Sequence, residues 1–209
     1  MFKNFILLFF TIFLGCSGIG KVSSNNSDWA LATLNKLTLR QKIAQMMVFR
    51  MNMKFINFDS EEWKEIENLL ISDGIGIVHI WFGEAGSALT ILNKMQKLSK
   101  IPLLVEADIE SGLGRRYSGA VTLPPMMAIA ATGDAKYAYK SGMISAEESR
   151  SVGIHFNLAP VVDVNNNPKN PIINTRSFGE HPDSVYHYSK EFVLHLNSCC
   201  FVGSFLSFN

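Results

Sequence analysis

The chain has 209 residues, which is enough for one large domain with its own hydrophobic core. Nineteen Lys and Arg residues against eighteen Asp and Glu residues give a formal net charge of +1. A charge so close to neutral argues against a nucleic-acid-binding surface, which needs a clustered excess of cations. The apolar fraction of 47% excludes disorder as the main state.

The first twenty residues have the order of a secretory leader. Lys3 precedes an apolar run from Phe5 to Leu14, and small residues follow it. Leu14-Gly15-Cys16 resembles the end of a bacterial lipobox, in which the cysteine becomes the first mature residue and carries lipid. We therefore expect an exported lipoprotein that meets the membrane through a lipid on Cys16; a periplasmic or secreted protein is the alternative. Residues 21–36, which follow the leader, are predicted to be a tether.

Helices alternate with short apolar strands after the tether. Thr38 and Gln41 have the spacing of a capping box, which predicts a short helix and then a strand near residues 46–50. Asp59-Ser60 begins a second helix, and the apolar run 75–82 predicts a strand that is covered on both faces. Periodicity and glycine or proline boundaries predict further helices over 86–98, 134–152 and from Pro182, with strands at 103–105 and 156–162.

This alternation indicates a parallel sheet, either an open doubly wound sheet or part of a (β/α)8 barrel. A complete barrel takes about 250 residues. The sequence contains no glycine-rich phosphate loop, no nucleophile elbow and no closely spaced pair of histidines. We therefore predict no cofactor and no metal site, and we expect His79 and His155 to be hydrogen-bonded core groups.

Polar residues follow three of the predicted elements, where ligands bind in parallel α/β proteins. Asp108 and Glu110 follow the strand at 103–105, Asp163 ends the strand at 156–162, and Arg176 lies in a loop beside two prolines and a glycine. Carboxylates in such positions can bind sugar hydroxyls or act as acid and base. From the residues alone, a ligand site and ordinary solvated loops with charge pairs are equally good interpretations.

Several ordered segments resemble glycoside hydrolase family 3. The stretch from Leu104 to Gly112, followed by Arg116 and by Leu123-Pro124, is similar to the family's first sugar-binding strand and loop. Residues 147–164 and 167–179 are similar to two further motifs, and residues 37–46 are similar to its first helix.

The resemblance implies roughly the first half of a TIM-like (β/α)8 barrel over residues 37–196, with residues 197–209 as a tail outside the family pattern. It implies retaining hydrolysis of β-glycosidic bonds in carbohydrate or cell-wall metabolism, in the β-N-acetylhexosaminidase branch, with a β-glucosidase as the alternative. By position, Asp108, Arg116 and Arg176 bind the terminal sugar, such as N-acetylglucosamine, while Glu110 and Asp163 support them.

The resemblance also predicts two features that the sequence lacks. The family continues into a Lys-His-Phe-Pro-Gly-His-Gly segment and later supplies a nucleophilic aspartate, and neither follows Leu196. We therefore expect a C-terminally truncated enzyme without catalytic residues of its own, whose open sheet edges favour self-association. The alternatives are a catalytically inactive carbohydrate-binding surface lipoprotein and a gene fragment.

Overall fold

The computed structural model describes residues 24–198 and 202–203. The leader with Cys16 and most of the tail therefore lie outside the described residues. The chain divides into two units, residues 1–42 and 43–209. In the described part of the chain, no helix is long and apolar enough to cross a bilayer.

The first unit contains helix α1 (Ser24–Lys36) and the beginning of helix α2 (Leu39–Gln45). Most of the predicted tether is therefore helical, because its second half contains the strong helix formers Ala and Leu. The predicted capping box is confirmed. The backbone N–H of Thr38 donates to Oε1 of Gln41 at 2.9 Å, and the N–H of Gln41 donates to Oγ1 of Thr38 at 3.2 Å.

Strands and helices alternate through the second unit, as the sequence predicts. In chain order the elements are β1 (Val48–Met53), α3 (Glu61–Asn68), β2 (Ile77–Glu84), α4 (Ala85–Leu98), β3 (Leu104–Ala107), β4 (Tyr117–Ser118), α5 (Met126–Ala130), α6 (Lys136–Ser151), β5 (Phe156–Asn157), α7 (Pro182–Ser198) and β6 (Val202–Gly203). Helix α3 begins at the predicted place, where the Ser60 hydroxyl accepts a hydrogen bond from the Trp63 N–H.

The described strands form one parallel sheet in the order β1-β2-β3-β5-β6, with β4 paired to the end of β2. Each strand along the main path lies beside a strand that is close to it in the chain. A barrel has this order, whereas a doubly wound sheet reverses its order at a switch point. The prediction of a partial (β/α)8 barrel is therefore confirmed, and the doubly wound alternative is wrong.

Strand β5 is much shorter than the predicted strand at residues 156–162. It contains Phe156 and Asn157, and the chain then leaves the ladder before Pro160. Proline has no N–H group to donate to a neighbouring strand, so it ends regular pairing at this point.

The two faces of the sheet have different surroundings. One face carries Val78, Ile80 and Val105, which are buried in the core with helix residues such as Leu92 and Met95. The other face carries a row of polar residues on three neighbouring strands. Arg50 on β1 lies opposite His79 on β2, and His79 lies opposite Glu106 on β3.

Both strand-associated histidines have partners. Nδ1 of His79 lies 3.2 Å from Oε1 of Glu106, and Nδ1 of His155 accepts a hydrogen bond from the backbone N–H of Val105 at 3.1 Å. The prediction that they are hydrogen-bonded groups is confirmed.

Gly142 lets helices α6 and α7 approach closely. A Cβ atom at this position would lie 2.2 Å from the carbonyl oxygen of Phe192. We expect Gly142→Ala to lower the free energy of unfolding by about 1–3 kcal/mol, because the backbones must separate. At Gly86 a Cβ atom would meet nothing within 4 Å, so Gly86→Ala is a matched control that should be neutral or stabilising. Equal stability of the two variants in urea denaturation would contradict this account.

Candidate functional site

The polar residues singled out in the sequence lie beyond the carboxyl ends of two neighbouring strands. Asp108, Glu110 and Arg116 follow β3, while Asp163 and Arg176 follow β5. Because β3 and β5 are parallel and hydrogen-bonded to each other, the two loops emerge at the same edge of the sheet.

Asp108 and Arg116 form an ion pair at this edge. Nη2 of Arg116 lies 3.6 Å from Oδ2 of Asp108, and Nε donates to the Asp108 carbonyl oxygen at 3.3 Å. Burial raises the pKa of Asp108 above its usual value, while the positive charge of Arg116 acts in the opposite direction. The carboxylate therefore lies in a partly desolvated position, where a hydrogen bond from a ligand is worth more than in water.

Glu110 holds Arg176 in a bidentate ion pair. Nε of Arg176 donates to Oε2 of Glu110 at 2.8 Å, and Nη2 donates to Oε1 at 2.6 Å. Nη1 donates to the carbonyl oxygen of Ile172 at 3.2 Å. These bonds raise the pKa of Arg176, so its guanidinium stays charged and fixed in orientation.

Asp163 is buried in the loop that carries Arg176. Its backbone carbonyl accepts a hydrogen bond from the hydroxyl of Ser177 at 2.6 Å, and the same hydroxyl accepts from the N–H of Gly179 at 3.1 Å. The negative charge of Asp163 contributes to the raised pKa of Arg176. These contacts link Asp163 to the shape and charge of the loop.

Asn157 connects the two loops, and sequence reasoning missed it. Its Oδ1 accepts a hydrogen bond from the N–H of Ile109 at 2.8 Å, and its Nδ2 donates to the Ile109 carbonyl at 3.1 Å. Asn157 is fully buried. It thus fixes the residue between Asp108 and Glu110. The available signal was an amide side chain within a strand that is otherwise mostly apolar.

Replacing Asn157 should disturb the site and the fold together. We expect Asn157→Ala to lower the free energy of unfolding by about 2–4 kcal/mol, because it leaves a buried donor and a buried acceptor without partners. Asn166→Ala is the matched control, since the Asn166 side chain is exposed, and it should change stability by less than about 0.5 kcal/mol. Urea denaturation measures both values. Hydrogen exchange at residues 108–110 should accelerate in Asn157→Ala, and unchanged exchange there would count against the proposed contact.

No group of three or more His, Cys, Asp and Glu side chains is placed to hold a metal ion among residues 24–198 and 202–203.

Residues 38–201 match the Glycosyl hydrolase family 3 N terminal domain. The chain belongs to glycoside hydrolase family 3. The matched region extends beyond Leu196, into residues 197–201 of the predicted tail. Strand β6, which pairs with β5, begins one residue after the matched region ends.

Named relatives and a solved structure are similar to different shares of the chain. A beta-N-acetylglucosaminidase/beta-glucosidase from Cellulomonas fimi is 33% identical over 109 residues, 52% of this chain and 19% of that protein. Beta-hexosaminidase A from Pseudoalteromonas piscicida is 43% identical over 96 residues, 43% of this chain and 16% of that protein. The solved family 3 beta-N-acetylglucosaminidase from Paenibacillus sp. str. FPU-7 has a TM-score of 0.71 and 30% identity, covering 82% of this chain and 33% of that one. The chain thus spans a third or less of each of these proteins.

Proposed function

We propose that this chain binds the terminal sugar of a β-linked N-acetylhexosaminide, as the sugar-holding part of a retaining β-glycosidase. The observation that carries the proposal is the placement of Asp108, Arg116 and Arg176 in adjacent loops at one edge of the sheet. A carboxylate can accept hydrogen bonds from two neighbouring hydroxyl groups, and a fixed guanidinium can donate to others. Such contacts fix the orientation of a sugar ring, which glycoside cleavage needs.

The names of the relatives support the choice of sugar. All three names include beta-N-acetylglucosaminidase or beta-hexosaminidase. The name of the Cellulomonas fimi protein also includes beta-glucosidase. A β-glucoside is therefore the second candidate substrate.

Binding by the full chain tests this proposal. We expect methyl β-N-acetylglucosaminide to cause saturable shifts in the backbone amide signals of residues 108–116 and 174–176, and methyl β-glucoside to bind more weakly. Tighter binding of the glucoside would favour the second candidate. No saturable shift with either sugar at millimolar concentrations would contradict the proposal.

We expect this chain to bind sugar without hydrolysing it. Retaining hydrolysis usually needs a nucleophile and an acid/base about 5–5.5 Å apart. Glu110 is engaged by Arg176, Asp108 lies against Arg116, and Asp163 is buried. Purified protein should release no more phenol from an aryl β-N-acetylglucosaminide than buffer does. Turnover that follows the pure protein and disappears in Asp108→Ala would overturn this expectation.

We also propose that the chain is exported and anchored to a membrane by lipid on Cys16. The apolar run from Phe5 to Leu14 and the Leu14-Gly15-Cys16 ending support this proposal. Mass spectrometry of protein from a bacterial host should find a lipidated Cys16 at the amino terminus, and Cys16→Ser should move the protein out of the membrane fraction. An intact leader or a mature start elsewhere would contradict it.

We propose, finally, that two copies of the chain associate through their sheet edges. Among the described strands, β1 pairs on one side with β2. Strand β1 runs parallel to the sheet, so its edge can pair with an edge strand of a second copy. Sedimentation should show a concentration-dependent dimer that Val48→Lys weakens. A monomer at every concentration would contradict this proposal.

A further inference from the structure

Trp81 lies on β2, beside the site but outside every motif identified in the sequence. His79 is the register partner of Glu106. Trp81 lies two residues beyond His79 on β2, and Asp108 lies two residues beyond Glu106, one residue past the end of β3. Arg116 links the two positions, because it pairs with Asp108 and its guanidinium carbon lies over the Trp81 ring.

The Arg116 guanidinium lies over the indole ring of Trp81. The guanidinium carbon of Arg116 lies 4.1 Å from the centre of the Trp81 ring. This is van der Waals contact, and it leaves no room for a sugar between the two groups. Strand β2 also holds the Arg116 backbone, since the N–H of Gly83 donates to the Arg116 carbonyl at 3.1 Å.

The ion pair with Asp108 is too loose to fix Arg116 alone. Its Nη2 to Oδ2 separation of 3.6 Å exceeds the usual hydrogen-bond length, and the Nε bond to the Asp108 carbonyl is long at 3.3 Å. The Trp81 ring adds a constraint, because a guanidinium over an indole ring is attracted by the ring quadrupole. The Phe82 ring is farther from the same guanidinium carbon, at 4.9 Å from its centre.

Arg116 and Arg176 are thus held in different ways. Glu110 binds two edge donors of Arg176 directly. Trp81 instead lies against Arg116 without taking a hydrogen bond from it. The Arg116 donors that Asp108 does not engage can therefore still be offered to sugar hydroxyls.

We infer that Trp81 is a positioning residue for sugar binding: it holds the Arg116 guanidinium beside Asp108 with its donors available, and it does not itself contact the sugar. This inference rests on the proposed function for its role in binding. The stacking of Arg116 on Trp81 can be tested without any sugar.

The first readout is the Arg116 Nε–H signal of the ligand-free full chain. Ring current from Trp81 should move this proton signal upfield of those of unstacked arginines, and Trp81→Leu should return it to the ordinary position. Arg50→Gln is the matched control, because Arg50 is a second cation near the same ring, 4.8 Å from its centre, and it should leave the Arg116 signal in place. An Arg116 signal unchanged by Trp81→Leu would overturn the inference.

The second readout is affinity for methyl β-N-acetylglucosaminide. Trp81→Leu should weaken binding on the order of 3- to 30-fold, while Trp81→Phe, which keeps an aromatic face, should lose about threefold or less. In an Arg116→Gln background, Trp81→Leu should change affinity by less than about twofold, because the two residues act as one unit. Additive losses would mean that Trp81 acts on the sugar or the fold directly, and would overturn the inference.

The two proposals fail in distinguishable ways. If the wild-type chain binds no sugar while the Arg116 signal responds to Trp81→Leu, the proposed function fails, and with it the role of Trp81 in sugar binding. If sugar binds but the two residues are uncoupled, the positioning role alone is wrong. The amide spectrum of each variant shows whether it is folded. If Trp81→Leu does not fold, Trp81→Phe is compared with the wild type in its place.

Discussion

Replacing Asp108 with asparagine should weaken sugar binding by about tenfold or more and, at neutral pH, stabilise the folded chain. The loss of binding follows from the loss of charge, since hydrogen bonds to a charged group contribute about 1.5–3 kcal/mol. The gain in stability follows from burial, which raises the pKa of Asp108. Ionising this carboxyl group costs more in the folded chain than in the unfolded chain.

The pH dependence has a definite sign. A raised pKa means that the folded chain holds the proton of Asp108 more tightly than the unfolded chain does. The stabilisation from that proton is complete below the unfolded pKa, and it is lost as the pH rises through the folded pKa. Asp108→Asn removes this loss, so it should be more stable than wild type at pH 7 and similar to it near pH 3.

Urea denaturation at the two pH values measures this effect. Asp59→Asn is the matched control, because the Asp59 side chain is exposed and its substitution should not raise stability at pH 7. If Asp108→Asn is less stable than wild type at both pH values, attraction to Arg116 outweighs burial. If Asp108→Asn binds sugar as tightly as the wild type does, Asp108 is not part of the sugar-binding site.

Arg176→Met should destabilise the chain by about 1–3 kcal/mol and weaken sugar binding. The side chains of Arg176 and Glu110 are 32% and 12% exposed, so their pair lies between an exposed ion pair, worth less than about 1 kcal/mol, and a fully buried one, whose breakage costs about 3–5 kcal/mol. Arg176→Lys keeps the charge but cannot make both bonds in the same geometry. Its stability should fall between those of the wild type and Arg176→Met.

A double-mutant cycle separates the pair from its surroundings. The combined variant Glu110→Gln/Arg176→Met should lose less stability than the two single variants together, because the second substitution removes the charge that the first leaves unpaired. Urea denaturation measures all four proteins. Strict additivity, or a lysine variant as stable as wild type, would contradict the bidentate contact as a determinant of the site.

The local features of the fold could be predicted from the sequence because short-range chemistry determines them. The capping box at Thr38 and Gln41 and the helix start at Ser60 involve residues three positions apart. The regular alternation of elements predicts the parallel sheet, and the resemblance to the family predicts a barrel in place of a doubly wound sheet. Strand β5 is shorter than the predicted strand at 156–162, because Pro160 cannot donate to a ladder.

The contacts that build the site could not be predicted in this way. Glu110 and Arg176 are 66 residues apart, and Ile109 and Asn157 are 48 apart. Nothing in local spacing connects such pairs. Resemblance to the family pointed to the arginines and to Asp108, whereas Asn157 and Trp81 carry no charge and lie in apolar segments. Their connection to the site appears once β2, β3 and β5 are placed side by side.

A crystal structure of the full chain with methyl β-N-acetylglucosaminide tests the central claim most directly. We expect sugar hydroxyls within about 3.2 Å of the Asp108 carboxylate and of the Arg116 and Arg176 guanidinium groups. A groove of about 250 Å³ lined by residues such as Leu123, Ile129 and Tyr137 offers a different location. A sugar in that groove, or anywhere without contact to Asp108, would contradict the claim that these loops form the sugar-binding site.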